Sequence, residues 1–302
     1  MDFNVILNQV ITLFLIMVAG FISRKAGFIN EQVNKRLSDI LLQITSPAMI
    51  FTSFIFEFSK DKLMNMLYVF GFTALIFVIS IIFAEMFTRK LPDDEKPVVK
   101  TSFVFTNCGY MGFPILGALF GQEGIFYTSI FVVVYLIFLW TYGVFVFKGE
   151  GNIRELKRAF LSPSLFAVYI GLPVFIFQLP VPKALVNAAD MLGSMTMPLA
   201  MLIIGAIFAD ADLKKMLRGW KVYFVSLIRL ILLPVIVYLA GSLLRLPDTV
   251  VFVCVALTAM PVGANIAVFA EKYEKNPFLA SQLITVSTFF SIFTIPVILY
   301  LI

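Results

Sequence analysis

Two short stretches carry residue types that could hold a solute: Thr106-Asn107-Cys108-Gly109-Tyr110-Met111-Gly112-Phe113-Pro114 and Ala259-Met260-Pro261-Val262-Gly263-Ala264-Asn265. Glycine weakens a helix and proline removes a backbone donor, so both stretches should interrupt the apolar runs that contain them. An interrupted helix offers unpaired amides and the positive end of its dipole, a combination that suits an anion. Asn107 and Asn265 add carboxamides that both donate and accept. The candidate ligands are therefore Asn107, Cys108, Gly109, Tyr110, Met111, Gly112 and Pro114, with Met260, Pro261, Gly263 and Asn265. One such segment alone reads as a simple kink, because Pro and Gly are frequent in membrane helices. Two in corresponding places favour binding.

A second polar pair is Thr45-Ser46-Pro47 and Thr196-Met197-Pro198. The hydroxyls could satisfy carbonyls freed by the prolines, or face the solute if these helices lie opposite the first pair. Arg229 is the one strongly basic residue deep inside an apolar run, a placement costing about 2.5–3.5 kcal/mol on insertion scales. Three readings compete for it: an ion pair with Glu85, a part in solute or proton coupling, and snorkelling to the interface. Asp39 and Asp190 lie near run ends, where solvated carboxylates are the default. Catalysis has little to work with. The chain has no histidine, and its two cysteines, Cys108 and Cys254, form no CxxC, which removes His-based zinc chemistry and the His-dependent intramembrane proteases. No catalytic residue, metal or cofactor is expected, beyond a coupling H+ or Na+.

The residues around these stretches are overwhelmingly apolar: 61% of 302 are hydrophobic and 14% charged, against about 25% charged in ordinary soluble domains. Ten runs of spanning length follow, near 4–23, 37–57, 63–88, 100–119, 124–147, 162–178, 184–208, 220–243, 249–270 and 277–302. The expected fold is an all-α polytopic membrane protein. The net charge of +5 does not indicate nucleic acid, because the basic residues sit in short connections. Eighteen of the 23 Lys and Arg fall at 24–36, 89–100, 148–160, 209–221 and 271–276, which puts those connections in the cytoplasm and both termini outside.

One fixed offset of 151 residues relates the halves: Asp39-x-Leu41-x-x-x-Thr45-x-Pro47 recurs as Asp190-x-Leu192-x-x-x-Thr196-x-Pro198, and Gly20 and Gly112 match Gly171 and Gly263. Five runs per copy is an odd number, so the copies should be inverted in the membrane. The first repeat covers 1–147, a cytoplasmic linker 148–161, and the second repeat 162–302.

With these motifs in view, the chain resembles the auxin efflux carrier family, bacterial type. Asn107-x-x-x-x-Gly112-x-Pro114 looks like its fourth-helix crossover and Met260-Pro261-Val262-Gly263-Ala264-Asn265 like the ninth-helix counterpart. The resemblance implies a cell-membrane carrier of small carboxylates such as malonate or malate. It further implies a dimerising scaffold of helices 1, 2, 6 and 7 and a moving transport domain of helices 3–5 and 8–10. Plant members often carry a long hydrophilic loop between the halves, which is missing here. A sodium-coupled carrier of the bile-acid type, sharing the ten-helix plan, is the alternative.

Overall fold

The structure, a computed structural model, describes residues 3–149, 160–210 and 213–301. Most of the expected linker 148–161 lies outside them. The elements in chain order are α1 (Phe3–Lys25), α2 (Glu31–Ile40), α3 (Ser46–Thr52), α4 (Lys60–Thr88), α5 (Lys96–Val104), α6 (Phe113–Phe138), α7 (Val144–Lys148) and α8 (Pro163–Phe177). They continue with α9 (Lys183–Ser194), α10 (Thr196–Asp210), α11 (Leu213–Met216), α12 (Trp220–Leu227), α13 (Leu233–Leu243), α14 (Asp248–Thr258), α15 (Asn265–Lys272) and α16 (Pro277–Leu301). Among the described residues there is no strand, only one isolated two-residue bridge.

Among the described residues, six stretches are long and apolar enough to cross a membrane: Leu7–Lys25, Lys60–Thr88, Cys108–Lys148, Lys183–Asp210, Trp220–Leu243 and Pro277–Leu301. Pro163–Phe177 and Asp248–Thr258 are shorter apolar helices. Large apolar side chains stand exposed along them, among them Leu15, Ile82, Leu243 and Phe293. Such a surface is a liability in water and ordinary against lipid.

The third of these stretches doubles back on itself. In a continuous helix Leu116 and Gly124 would be about 12 Å apart at 1.5 Å per residue. Instead a Cβ on Gly124 would lie 2.2 Å from the Leu116 carbonyl oxygen. The reversal is at Gly121, whose φ of 57° and ψ of −137° suit a residue without a Cβ.

Three prolines follow widened turns rather than helix ends, whereas Pro173 and Pro296 sit inside ordinary α-helix and a fourth π-helical turn, Leu139–Gly143, has no proline behind it. π-helical turns occupy Leu41–Thr45, Cys108–Gly112 and Ile228–Leu232, and each is followed at the second residue by a proline, Pro47, Pro114 or Pro234. Proline lacks the amide for the i−4 carbonyl and its ring crowds that carbonyl, so the turn before it opens to i−5 bonds. Ser46 N–H to Leu41 O and Leu233 N–H to Ile228 O are two of these bonds.

The chain divides into two compact units that interleave both sequence halves. The first comprises Met1–Met66, Gly109–Ile130 and Arg158–Asp210. In it α1 packs along α10, closed at one end by the Arg24–Asp210 ion pair at 2.7 Å. The chain leaving α3 is held by side-chain amides: Gln122 donates to the Thr52 and Ile55 carbonyls, and Gln178 to those of Phe56 and Phe175. Phe54, Phe56, Phe126 and Phe175 pack edge to face or tilted around this exit.

The second unit comprises Leu67–Cys108, Phe131–Lys157 and Ala211–Ile302. Its core includes Phe77, Phe105, Phe131 and Leu257, and α16 packs against α12 and α5. Residues 109–130, the end of run 4 and start of run 5, group with the first unit.

Candidate functional site

Inside the second unit, two helices lose their regular winding at the same place. α5 ends at Val104, and Phe105 turns extended with φ −100° and ψ 121°. α14 ends at Thr258, and the chain runs irregularly until α15 starts at Asn265. Thr106 and Val262 face each other as an antiparallel bridge. The Asn107 amide donates to the Pro261 carbonyl at 2.8 Å, and the Gly263 amide to the Phe105 carbonyl at 3.0 Å. Away from water every unpaired backbone group is costly; here each unwound segment satisfies the other.

Neighbouring side chains complete the crossing. The Thr106 hydroxyl donates to the Leu257 carbonyl at 3.0 Å, capping the carboxyl end of α14. The Val262 amide donates to the Ser287 hydroxyl of α16 at 3.1 Å. Asn265 donates through Nδ2 to the Tyr135 hydroxyl of α6 at 3.3 Å. The backbones approach so closely that a Cβ on Gly263 would lie 3.0 Å from the Thr106 carbonyl oxygen and 3.3 Å from the Tyr135 hydroxyl. Asn107 is buried and its carboxamide has no hydrogen-bond partner among the described residues, whereas Asn265 is exposed. Two helix starts, at Cys108 and Asn265, thus adjoin a crossing that holds no carboxylate.

The crossing brings together Asn107, Cys108, Met260, Pro261, Gly263 and Asn265 in the second unit. It corrects where the first stretch unwinds: the interruption is at 105–107, before the glycines, while Cys108–Gly112 is a π-helical turn and Pro114 belongs to the first turn of α6. Gly109, Tyr110, Met111, Gly112 and Pro114 group with the first unit, where Tyr110 lies beside Ser38 and Asp39. Thr45, Ser46 and Pro47 also belong to the first unit. The Thr45 hydroxyl donates to the Leu41 carbonyl at 3.4 Å, not to the Gln43 carbonyl that Pro47 frees. Asp39 and Asp190 are exposed, as helix-end carboxylates should be.

The pairing of Arg229 with Glu85 is overturned. Glu85 pairs with Lys100 and accepts from the Tyr142 hydroxyl at 3.5 Å. Arg229 instead donates through Nη1 to the Phe103 carbonyl at 3.1 Å, at the carboxyl end of α5. The partner of Glu85 is thus a lysine fifteen residues along the chain, brought back beside α4 by the start of α5. Sequence reasoning also missed Tyr135 and Ser287. Signals for both existed: a tyrosine in an apolar run needs a hydroxyl partner, and Ser287, Thr288 and Ser291 form a polar stripe at helical spacing on α16.

A helical protein with lipid-suited outer faces and an internal crossing of unwound backbone belongs structurally with multi-pass membrane transporters. Comparison with known proteins agrees. Residues 5–157 and 152–299 match the membrane transport protein family. The chain belongs to that family, the auxin efflux carriers that its motifs resemble. It is 24% identical over 301 residues to an uncharacterised transporter of Methanocaldococcus jannaschii, with 96% of each chain covered. To an uncharacterised transporter of Methanothermobacter thermautotrophicus it is 23% identical over 299 residues, again with 96% of each covered. A protein of Rhizobium meliloti provisionally named a malonate transporter matches at 27% over 147 residues, covering 48% of this chain and 45% of that one.

Proposed function

We propose that the protein is a secondary transporter that carries a small organic anion, a mono- or dicarboxylate such as malonate or malate, across the cell membrane. The observation that carries this reading is the crossing of residues 105–107 and 260–264, with the buried Asn107 carboxamide unpartnered at its edge. In this reading the solute carboxylate accepts from Asn107 and from amides of the adjoining helix starts. The partial likeness to the provisionally named malonate transporter supports the substrate class.

The reading arranges the chain as ten spans in two inverted five-helix repeats, both termini outside. Helices 1, 2, 6 and 7 form a scaffold that pairs with a second copy, and the crossover-bearing helices move against it as an elevator. Uniport on the membrane potential, proton coupling and sodium coupling are each compatible with this arrangement.

Flux in proteoliposomes tests the reading. Saturable uptake of malonate, malate or indole acetate, reduced at least about tenfold in Asn107→Ala by loss of a hydrogen bond to a charged group, supports it. No saturable flux of any of the three, with Asn107→Ala behaving as wild type, contradicts it. Arms with sodium, and with a pH gradient, assign the coupling; strict sodium dependence would single out the sodium-coupled mode that carriers of the bile-acid type use.

A further inference from the structure

Arg229 is wholly buried, at 0% exposure, in the π-helical turn Ile228–Leu232. Of its five N–H groups, Nη1 reaches the Phe103 carbonyl, while Nε and Nη2 find no partner among the described residues. A guanidinium does not lose its proton at accessible pH, so this is a permanent charge. The titratable side chains facing it are Cys108 and Tyr135, neither a carboxylate. Glu85 is engaged by Lys100, and Glu95 by Lys221. The carboxyl end of α5 offsets only part of the charge, roughly half an elementary unit. Among the described residues, therefore, no carboxylate balances this cation against the crossing: Phe103 precedes its first extended residue by two positions, Cys108 ends it, and Tyr135 bonds Asn265.

An ion left uncompensated in a protein interior is strongly unfavourable, and a counter-charge relieves much of that penalty when it arrives. We propose that Arg229 is the positioning residue for the transported anion. From behind the Phe103 carbonyl it makes the crossing electropositive, so that a carboxylate completes the charge balance while Asn107 and the unwound amides make the contacts. This rests on the carrier reading above and adds the source of its charge selectivity. It also explains why an arginine is kept where insertion is costly, and why the protein's own carboxylates are turned elsewhere.

The test uses purified full-length wild type, Arg229→Lys and Arg229→Gln, each read for malonate affinity, flux and ligand-free melting temperature. Arg229→Gln should weaken malonate binding by about tenfold or more, as loss of a close charge pair does, with maximal flux less affected. Arg229→Lys should retain most of the affinity, and wild type should prefer malonate to neutral malonamide. In the absence of ligand, Arg229→Gln should melt no lower than wild type, because an uncompensated ion has been removed. Unchanged affinity in Arg229→Gln, or no preference for malonate over malonamide by a wild type that binds both, overturns this inference and leaves the carrier reading standing. A wild type that binds none of malonate, malate and indole acetate defeats the carrier reading and this inference together. The ligand-free melt reads the arginine by itself: if both variants melt well below wild type, the protein already compensates the charge and the proposal is wrong.

Discussion

Replacing Gly263 by alanine should damage the protein, whereas the same change at Gly109 should not, although both glycines stand in the two motifs that drew notice. At Gly263 the new methyl would lie 3.0 Å from the Thr106 carbonyl oxygen, closer than ordinary contact. That carbonyl belongs to backbone held by the Asn107–Pro261 and Gly263–Phe105 hydrogen bonds, so relief requires the two segments to part by a few tenths of an ångström. If both bonds are lost, at about 0.5–1.5 kcal/mol each, the cost is about 1–3 kcal/mol. A Cβ at Gly109 meets nothing within 4 Å, and alanine is the better helix former by about 1 kcal/mol. Thermal melts of Gly263→Ala and Gly109→Ala in the same detergent compare the two. Gly263→Ala melting with wild type, or Gly109→Ala proving the less stable of the pair, would refute the reasoning.

Ser287→Ala should cost about 1–3 kcal/mol by stranding the buried Val262 amide, while Ser287→Thr, which keeps the hydroxyl, should melt near wild type. Gln122→Glu should destabilise the first unit, since a carboxylate cannot donate to the Thr52 and Ile55 carbonyls; protease sensitivity near residues 53–59 would report the loosening. Glu85→Gln should lower stability by less than about 1 kcal/mol, as expected for a half-exposed pair with Lys100. It should also leave anion affinity unchanged, and a large affinity loss would restore Glu85 as a partner of Arg229.

The parts of this fold that could be read from the chain are those set by local composition. Apolar run length marked the helices, and the gap at 120–123 marked the reversal that Gly121 makes. The two interrupted stretches were also visible, because Gly, Pro and Asn cannot sit in a lipid-exposed helix without consequence. The detail was less legible. The stretch holding Pro114 reads as a break, yet Pro114, like Pro47 and Pro234, follows a widened turn that the helix survives. The break lies instead at Phe105–Asn107, where pairing with residues 261–263 replaces the helical bonds. That pairing joins Thr106 to Val262, 156 residues apart, whereas the internal repeat runs at 151. The repeat register instead picks out the neighbouring contact, the Thr106 hydroxyl on the Leu257 carbonyl 151 residues away. Arg229 announced itself as costly, but its partner is a backbone carbonyl, which no side-chain pattern encodes.

The meeting of the two unwound segments can be measured directly. Thr106 and Val262 occupy the non-hydrogen-bonded position of their antiparallel pair, where Cα atoms lie about 4.5 Å apart, close enough for a disulfide. In a background with Cys108 and Cys254 replaced by alanine, membranes containing Thr106→Cys with Val262→Cys should yield, on mild oxidation and peptide mapping, one linked peptide joining the two positions. Recovery of both cysteines as separately alkylated peptides would contradict the crossing, and with it the carrier site built on it.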